Sequence, residues 1–472
     1  MSDGRVRQRI TKKEEFTMED IIKDELFGEV KYKPNIGSWV GITDAPLYNS
    51  EGNLKLVVQD LEKEGILDVQ REAYKIYLQN SDKYKEIAVD YLLDYYKWNY
   101  EYIAKVICDL DENDHKDVVT EKQLFEMIDL WSLYICRDGS FGYTFGCCWD
   151  NVDDLAVLLS EEEPIVISRT QLKNLHKIND DDLGLLVHYG KNTWKGWKKH
   201  TLFGKNEHLE IEFDGKAEEG ITEAQKKAYA EYMERENEYF GALSKMMLTV
   251  YTGSETKAEE ILSQGIPVNV ATILPKTLYI DRNGNYGWIC YTDWDKNYVS
   301  VLLSGKRPYF MNRYAIKTLS SRKFVEDEEM GFFFDSYIGL CSTVIVRMGS
   351  QIRTFEFEIE FFTPEKEISE DMRKAYRHFV KYNETLWKDV LEWSLDFYKD
   401  NYEELMERFD VPEELQEENI TEESVMSLMR ITKLYMTNKG RIAWLCEYPT
   451  EDGLAYEFNE EGLWMIPQWQ II

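Results

Sequence analysis

The stretch from Gly65 to Tyr96, GILDVQREAYKIYLQNSDKYKEIAVDYLLDYY, is written three times in this chain. Gly220 to Tyr251 reads GITEAQKKAYAEYMERENEYFGALSKMMLTVY, and Glu367 to Tyr398 reads EISEDMRKAYRHFVKYNETLWKDVLEWSLDFY. Without gaps the copies agree at Ile66/Ile221/Ile368, Ala73/Ala228/Ala375, Tyr74/Tyr229/Tyr376, Tyr77/Tyr232/Phe379 and Tyr96/Tyr251/Tyr398. A spacing of roughly 150 residues is far longer than the period of helical solenoids or propeller blades, so the unit repeated is a whole domain.

Within each copy the apolar residues recur at steps of three, four or seven. In the first, Ala73, Tyr77, Tyr84, Ala88, Leu92 and Tyr95 stack on one face of a 3.6-residue period, which predicts a long amphipathic helix. Thr222 and Ser369 stand where helix caps stand, with Asp68 as the expected cap of the first copy. The matched positions Ala73, Tyr74, Tyr77, Ala228, Tyr229, Tyr232, Ala375, Tyr376 and Phe379 are expected to form a repeated core, because aromatic stripes at helical spacing usually pack inward.

The flanks repeat too. Strand patterns WVGI and LKLVV precede the first helix, WKGW and LEIEF the second, and FEFEIEF the third, with apolar and polar residues alternating as in half-buried strands. After the helix comes a second, shorter helical pattern, Thr120 to Asp129 or Thr421 to Arg430; in the second copy Pro267 and Pro275 argue for a shorter one. A hairpin block follows: Leu133-Tyr134-Ile135, Leu278-Tyr279-Ile280 and Leu434-Tyr435-Met436, each leading to Gly139, Gly284 or Gly440.

The expected fold is therefore α+β. Three tandem homologous modules each carry an antiparallel sheet packed on a long amphipathic helix and a shorter one. The boundaries drawn are an N-terminal arm and lead-in helix at 1–24, module one at 25–168, a linker helix at 169–181, module two at 182–312, a linker helix at 313–328 and module three at 329–472.

A formal charge of −32 sets the terms for any partner. It repels nucleic acid and anionic membrane surfaces and attracts basic proteins. There is no apolar run of membrane-spanning length, the seven cysteines are odd in number and contain no CxxC pair, and a cytoplasmic location is expected.

The repeat also filters for chemistry, since an activity common to the modules would keep a titratable residue in all three. In the helix Glu72 aligns with Lys227 and Lys374 and Lys75 with Ala230 and Arg377, while an acid recurs at Asp150/Asp295/Glu451, at a turn. DLDENDHKD, with Asp109, Asp111, Asn113 and Asp117, departs from a calcium loop at Asp114 and Thr120, where Gly and Glu belong. The six histidines form no HExxH, Cys147-Cys148 has no neighbouring histidine, and neither a GxSxG elbow nor a Walker loop is present. No catalytic residue, metal ligand or cofactor is expected. The binding candidate is Trp194, Lys195, Trp197, Lys198, Lys199 and His200, which interleave aromatics with positive charge in an acidic chain. The same run also reads as an edge strand guarded by lysines.

With WxG, AY and the glycine hairpin as its motifs, the modular layout resembles the tandem domain-of-unknown-function proteins of bacteria. It is similar in style to the immunity proteins of polymorphic toxin systems. That resemblance implies a non-catalytic binding array that neutralises a basic toxin or effector. The alternatives are an enzyme or sensor whose one active module binds a nucleotide or sugar near Trp194–His200, and a scaffold that spaces partners.

Overall fold

A computed structural model describes residues 21–43, 53–106, 120–147, 153–162, 164–202, 205–252, 255–263, 273–292, 294, 299–337, 339–348, 351–361, 366–408, 420–421, 424–425, 429–447, 453–459 and 462–472. The chain divides into two compact units, residues 1–189 and 190–472.

Three eight-stranded sheets are present among the described residues. The first holds β1 (Ile21–Asp24), β2 (Gly28–Lys33), β3 (Ser38–Thr43) and β4 (Leu54–Gln59). After helices α1 (Asp68–Gln79), α2 (Ser81–Val106) and α3 (Glu121–Met127) come β5 (Ile128–Ile135), β6 (Phe141–Cys147), β7 (Leu155–Leu158) and β8 (Ile165–Ser168), then a short helix α4 (Arg169–Lys173). The second holds β9 (Lys177–Asp180), β10 (Gly184–Tyr189), β11 (Thr193–Leu202) and β12 (Lys205–Asp214). Helices α5 (Glu223–Thr252) and α6 (Glu255–Ser263) lead to β13 (Ile273–Ile280), β14 (Tyr286–Thr292), β15 (Val299–Leu302), β16 (Tyr309–Asn312) and the helix α7 (Arg313–Ile316). The third holds β17 (Phe324–Asp327), β18 (Gly331–Asp335), β19 (Gly339–Met348) and β20 (Gln351–Glu360). Helices α8 (Glu370–Asp400) and α9 (Tyr402–Arg408) then precede β21 (Ile431–Met436), β22 (Ile442–Cys446), β23 (Leu454–Asn459) and β24 (Gly462–Pro467).

Each sheet keeps its strands in chain order, as two four-stranded antiparallel meanders placed side by side. The expectation of a purely antiparallel sheet is corrected at one seam per module, where β4/β5, β12/β13 and β20/β21 run parallel, in register Leu56↔Leu133, Ile211↔Leu278 and Phe357↔Leu434. The helices between those strands are the cause, because a crossover long enough to traverse the sheet returns the chain in its original direction. Next to each seam a bulge recurs, at Leu130/Ser132, Pro275/Thr277 and Ile431/Lys433. Pro275, read from sequence as a limit on a helix, instead sits in β13 at its bulge, a place that tolerates a missing N–H.

The helices differ from expectation in detail. The first copy breaks at Asn80, whose N–H bonds Tyr77 O, giving α1 and α2, while α5 and α8 run through. Asn80-Ser81-Asp82 favours local side-chain bonds over helix; Arg235 and Tyr382 occupy the site of Asn80 in the other copies. Asp68 is not a cap; Leu67 takes that place, its N–H donating to Gln70 Oε1 at 3.0 Å. The second helix of modules two and three, as α6 and α9, follows the long one immediately; part of Thr421–Arg430 lies outside the described residues.

The expected lead-in helix is a strand from Ile21, and the linker helices at 169–181 and 313–328 are helical only at their starts. Their acidic ends are hairpin turns: Asp24 accepts from the N–H groups of Leu26 and Phe27, Asp180 from Asp182 and Leu183, Asp327 from Glu329 and Met330. Leu172 and Ile316 of α4 and α7 are fully buried, so these helices close each sheet's helix-free face. Module three has the same element in reduced form, a 3-10 turn at Gln468–Gln470 with Ile471 buried behind it.

The repeated helix residues pack on the opposite face. Ala73, Tyr74, Tyr77, Ala228, Tyr229, Tyr232 and Phe379 are buried, Ala375 and Tyr376 partly so. Tyr77 and Tyr143 share a hydroxyl bond at 2.9 Å, and Trp288 Nε1 donates to the Tyr232 hydroxyl at the matching place, 3.2 Å away. In module three Phe379 has no hydroxyl, and Trp444 Nε1 is buried without a partner among the described residues. Phe379→Tyr is expected to stabilise module three by about 0.5–1.5 kcal/mol, read as a rise in its urea midpoint, by giving that indole an acceptor.

The three hairpin glycines carry φ of +88°, +84° and +77°. A Cβ on Gly284 would lie 2.9 Å from Ala224 O, and one on Gly440 2.8 Å from Asp371 O, on the first turn of the long helix. Gly284→Ala is expected to cost about 1–3 kcal/mol through both effects, measurable by calorimetry of the intact chain.

Candidate functional site

Strand alternation divides the predicted basic and aromatic run. In β11, Trp194 and Lys198 share one face, while Lys195 and Trp197 share the other. Trp194 is buried under α5, its indole N–H donating to Lys216 O at 3.3 Å. Lys198 Nζ lies 2.7 Å from Met233 Sδ and 5.5 Å from the Tyr229 ring, and desolvation lowers its pKa. Trp197 is half-buried. Lys199 and His200 contribute backbone to β11; their side chains lie outside the described residues.

Lys195 anchors a buried ion network on the face away from the long helix. Its ammonium lies 2.9 Å from Glu210 and 3.0 Å from Glu212, and Lys317 from α7 reaches Glu212 at 2.6 Å. Burial alone would raise the Glu212 pKa, but Lys195 and Lys317 outweigh it and bring it down to about 2. Burial wins at Glu210, which is pushed up despite Lys195. For Lys195 the two carboxylates outweigh desolvation and raise its pKa.

In module three the corresponding strand carries Glu356, Glu358 and Glu360 at alternate positions. Lys433 pairs with Glu358 and the Tyr435 hydroxyl donates to Glu360. Beside this stripe opens a cleft of about 350 Å³ inside the second unit, between the α7 segment and the helix-free face of the third sheet. Its lining includes Asn312, Tyr314, Arg322, Phe334, Thr343 and Glu356. Among the described residues the walls offer the Arg322 cation, the Glu356 carboxylate, hydroxyls and aromatic surface, a set suited to holding a polar group. Cys341 also lines it, with Sγ 3.9 Å from Glu356 Oε1; burial, helped by Glu356 and Glu358, pushes its pKa up and keeps it a neutral thiol.

Among the described residues no group of three or more His, Cys, Asp and Glu side chains is arranged to hold a metal, and no helix is long and apolar enough to cross a membrane. The Asp109–Asp117 run, Asp150, Asp295 and Glu451 lie outside the described residues.

Sequence reasoning missed a second triplicated acid. Asp24, Asp180 and Asp327 open the turns DELFG, DDDLG and DEEMG, a spacing that was readable but looked like linker charge. Arg71 binds Asp24 at 3.0 Å and Arg373 binds Asp327 at 2.9 Å. At both acids, burial's upward push is outweighed by backbone N–H donors and the arginine, so both pKa values fall. These contacts tie an entry hairpin to a long helix.

The family described as "Domain of unknown function (DUF6985)" matches residues 26–172. The match begins in the β1–β2 turn and runs to the buried Leu172 of α4. No curated protein and no solved structure matches the chain.

Proposed function

We propose that the chain is a non-catalytic binding protein that docks a basic partner protein on its acidic surface, as an immunity or inhibitor protein would dock a basic toxin or effector. The observation that carries this reading is the disposition of charge. Carboxylates exceed cations by 32. Many of the cations are engaged within the fold: Lys195 and Lys317 on Glu212, Lys433 on Glu358, Arg137 on Glu64, Arg373 on Asp327 and Arg441 on Glu457. The unbalanced charge left for long-range attraction is negative, which speeds encounter with a basic partner and disfavours nucleic acid and anionic membranes. Location in the cytoplasm belongs to the same reading.

A second reading, a ligand sensor, draws on the cleft beside Glu356 rather than on the Trp194–His200 run, the alternative nucleotide or sugar site. Pull-down with the intact chain at low and moderate salt separates the two. A basic protein that is retained at low salt and released as salt rises is the expected result, since screening shortens to about 8 Å at physiological ionic strength. A co-purifying small molecule with no retained protein would favour the sensor.

A further inference from the structure

The repeat shows what the cleft beside Glu356 lacks. Glu210 in β12 and Glu356 in β20 hold the same place in their sheets: Trp197 stands across from Glu210, and Thr343 across from Glu356. Two residues earlier on those neighbouring strands come Lys195 and Cys341, across from Glu212 and Glu358. Directly opposed residues share a face, so module two sets the Trp197 indole beside its carboxylate and the Lys195 ammonium 2.9 Å from it. Module three has a hydroxyl and a thiol at those positions. It supplies neither the ring nor the positive charge.

The cleft of about 350 Å³ opens at this place, and its walls are held by the fold. Phe332 and Phe334 are buried in one cluster with Tyr309, Met311 and Ile316 of module two. Thr354 accepts from the Trp294 indole N–H at 3.1 Å. The Arg322 guanidinium lies 5.9 Å from the centre of the Phe334 ring and, among the described residues, makes no ion pair. Glu356 has no ion-pair partner there either; its contact is the Cys341 thiol, 3.9 Å away. Two opposite charges thus line one cleft without pairing with each other.

A molecule that completes this site brings an ammonium for Glu356, an anion for Arg322 and an apolar ring for the space that Trp197 takes in module two. Charge-assisted hydrogen bonds at both ends would fix its orientation. Ligand pockets run from roughly 300 to 1,000 Å³, so a cleft of this size suits an amino acid and is tight for a nucleotide. A simple polycation, which the charge of −32 attracts, would meet Arg322. We propose that the cleft binds a free aromatic α-amino acid, with its ammonium on Glu356, its carboxylate on Arg322 and its ring against Phe332 and Phe334. This rests on the ligand-sensor reading and is independent of the basic partner.

Calorimetric titration of the intact chain with L-tryptophan, L-tyrosine and L-phenylalanine tests it. At least one is expected to bind once per chain with a Kd below about 1 mM. Glu356→Gln and Arg322→Gln, both at exposed side chains, are each expected to weaken binding roughly tenfold with an unchanged circular dichroism spectrum. Cys341→Lys, which places module two's ammonium beside the carboxylate, is expected to abolish it. Tryptamine and indole-3-propionate each lack one charged group of tryptophan and should bind at least about tenfold more weakly. Tryptamine binding as tightly as tryptophan, or tryptophan binding that neither glutamine variant alters, would overturn the amino-acid assignment and leave the ligand-sensor reading standing. Silence of every probe up to about 10 mM would overturn it too. In that case a co-purifying small molecule of another class keeps the sensor reading, and a chain that purifies with none ends both.

Discussion

Replacing Lys195 with methionine is expected to destabilise the second module by about 3–5 kcal/mol, the usual result of leaving a buried ion group short of one partner. Glu210 would then lose its pairing with Lys195, and Glu212 would keep Lys317, on a face where Glu212 is buried. The effect depends on pH in a stated direction. The Glu212 pKa falls from 4.5 to about 2 on folding, so its contribution is fully present above pH 4.5 and is lost as pH falls through about 2. Without Lys195 that depression shrinks. The gap between wild type and Lys195→Met should therefore narrow on acidification through this window, as followed by urea unfolding at a series of pH values. A gap that stayed constant would mean that the lysine acts through packing.

The second large effect is expected at Gln225. Its amide donates to Asp214 O at 2.8 Å and Ile280 O at 3.3 Å, bridging the ends of the parallel strands β12 and β13, while its oxygen accepts from Thr222 N at 3.0 Å. Gln70 makes the same bridge in module one, to Gln59 O and Cys136 O. Gln225→Leu fills a similar volume but removes the donor from both carbonyls and the acceptor from the helix cap, at an expected cost of about 3 kcal/mol. Met372 occupies the position in module three, and its sulfur receives the Ser369 N–H at 3.3 Å. A loss below about 0.5 kcal/mol in Gln225→Leu would show that water satisfies these groups instead.

The repeat made the helix face legible. Ala73, Tyr77 and their counterparts could be placed because a 3.6-residue stripe with large side chains has one natural destination. The parallel seam was not legible, since FEFEIEF looks the same whether its neighbour runs up or down. The closing role of α4 and α7 was hidden for a related reason. RTQLK and RYAIK carry one buried apolar residue each, Leu172 or Ile316, too few for a periodicity.

The candidate run in β11 failed to stay together for a reason the sequence did contain. Period-two alternation separates Trp194 from Lys195 whenever the segment is a strand, which leaves one in the core and the other beside Glu210 and Glu212. The cleft beside Glu356 draws on residues far apart in sequence, among them Asn312, Arg322 and Glu356, and no local pattern announces it.

Hydrogen exchange on the intact chain, resolved by residue, tests most directly the claim that one architecture is built three times. The slowest amides are expected at the three parallel seams, in β4/β5, β12/β13 and β20/β21, with the closing segments α4, α7 and Gln468–Gln470 exchanging faster than the seam each covers. Protection at the β4/β5 seam alone, with the other two exchanging at unprotected rates, would contradict it.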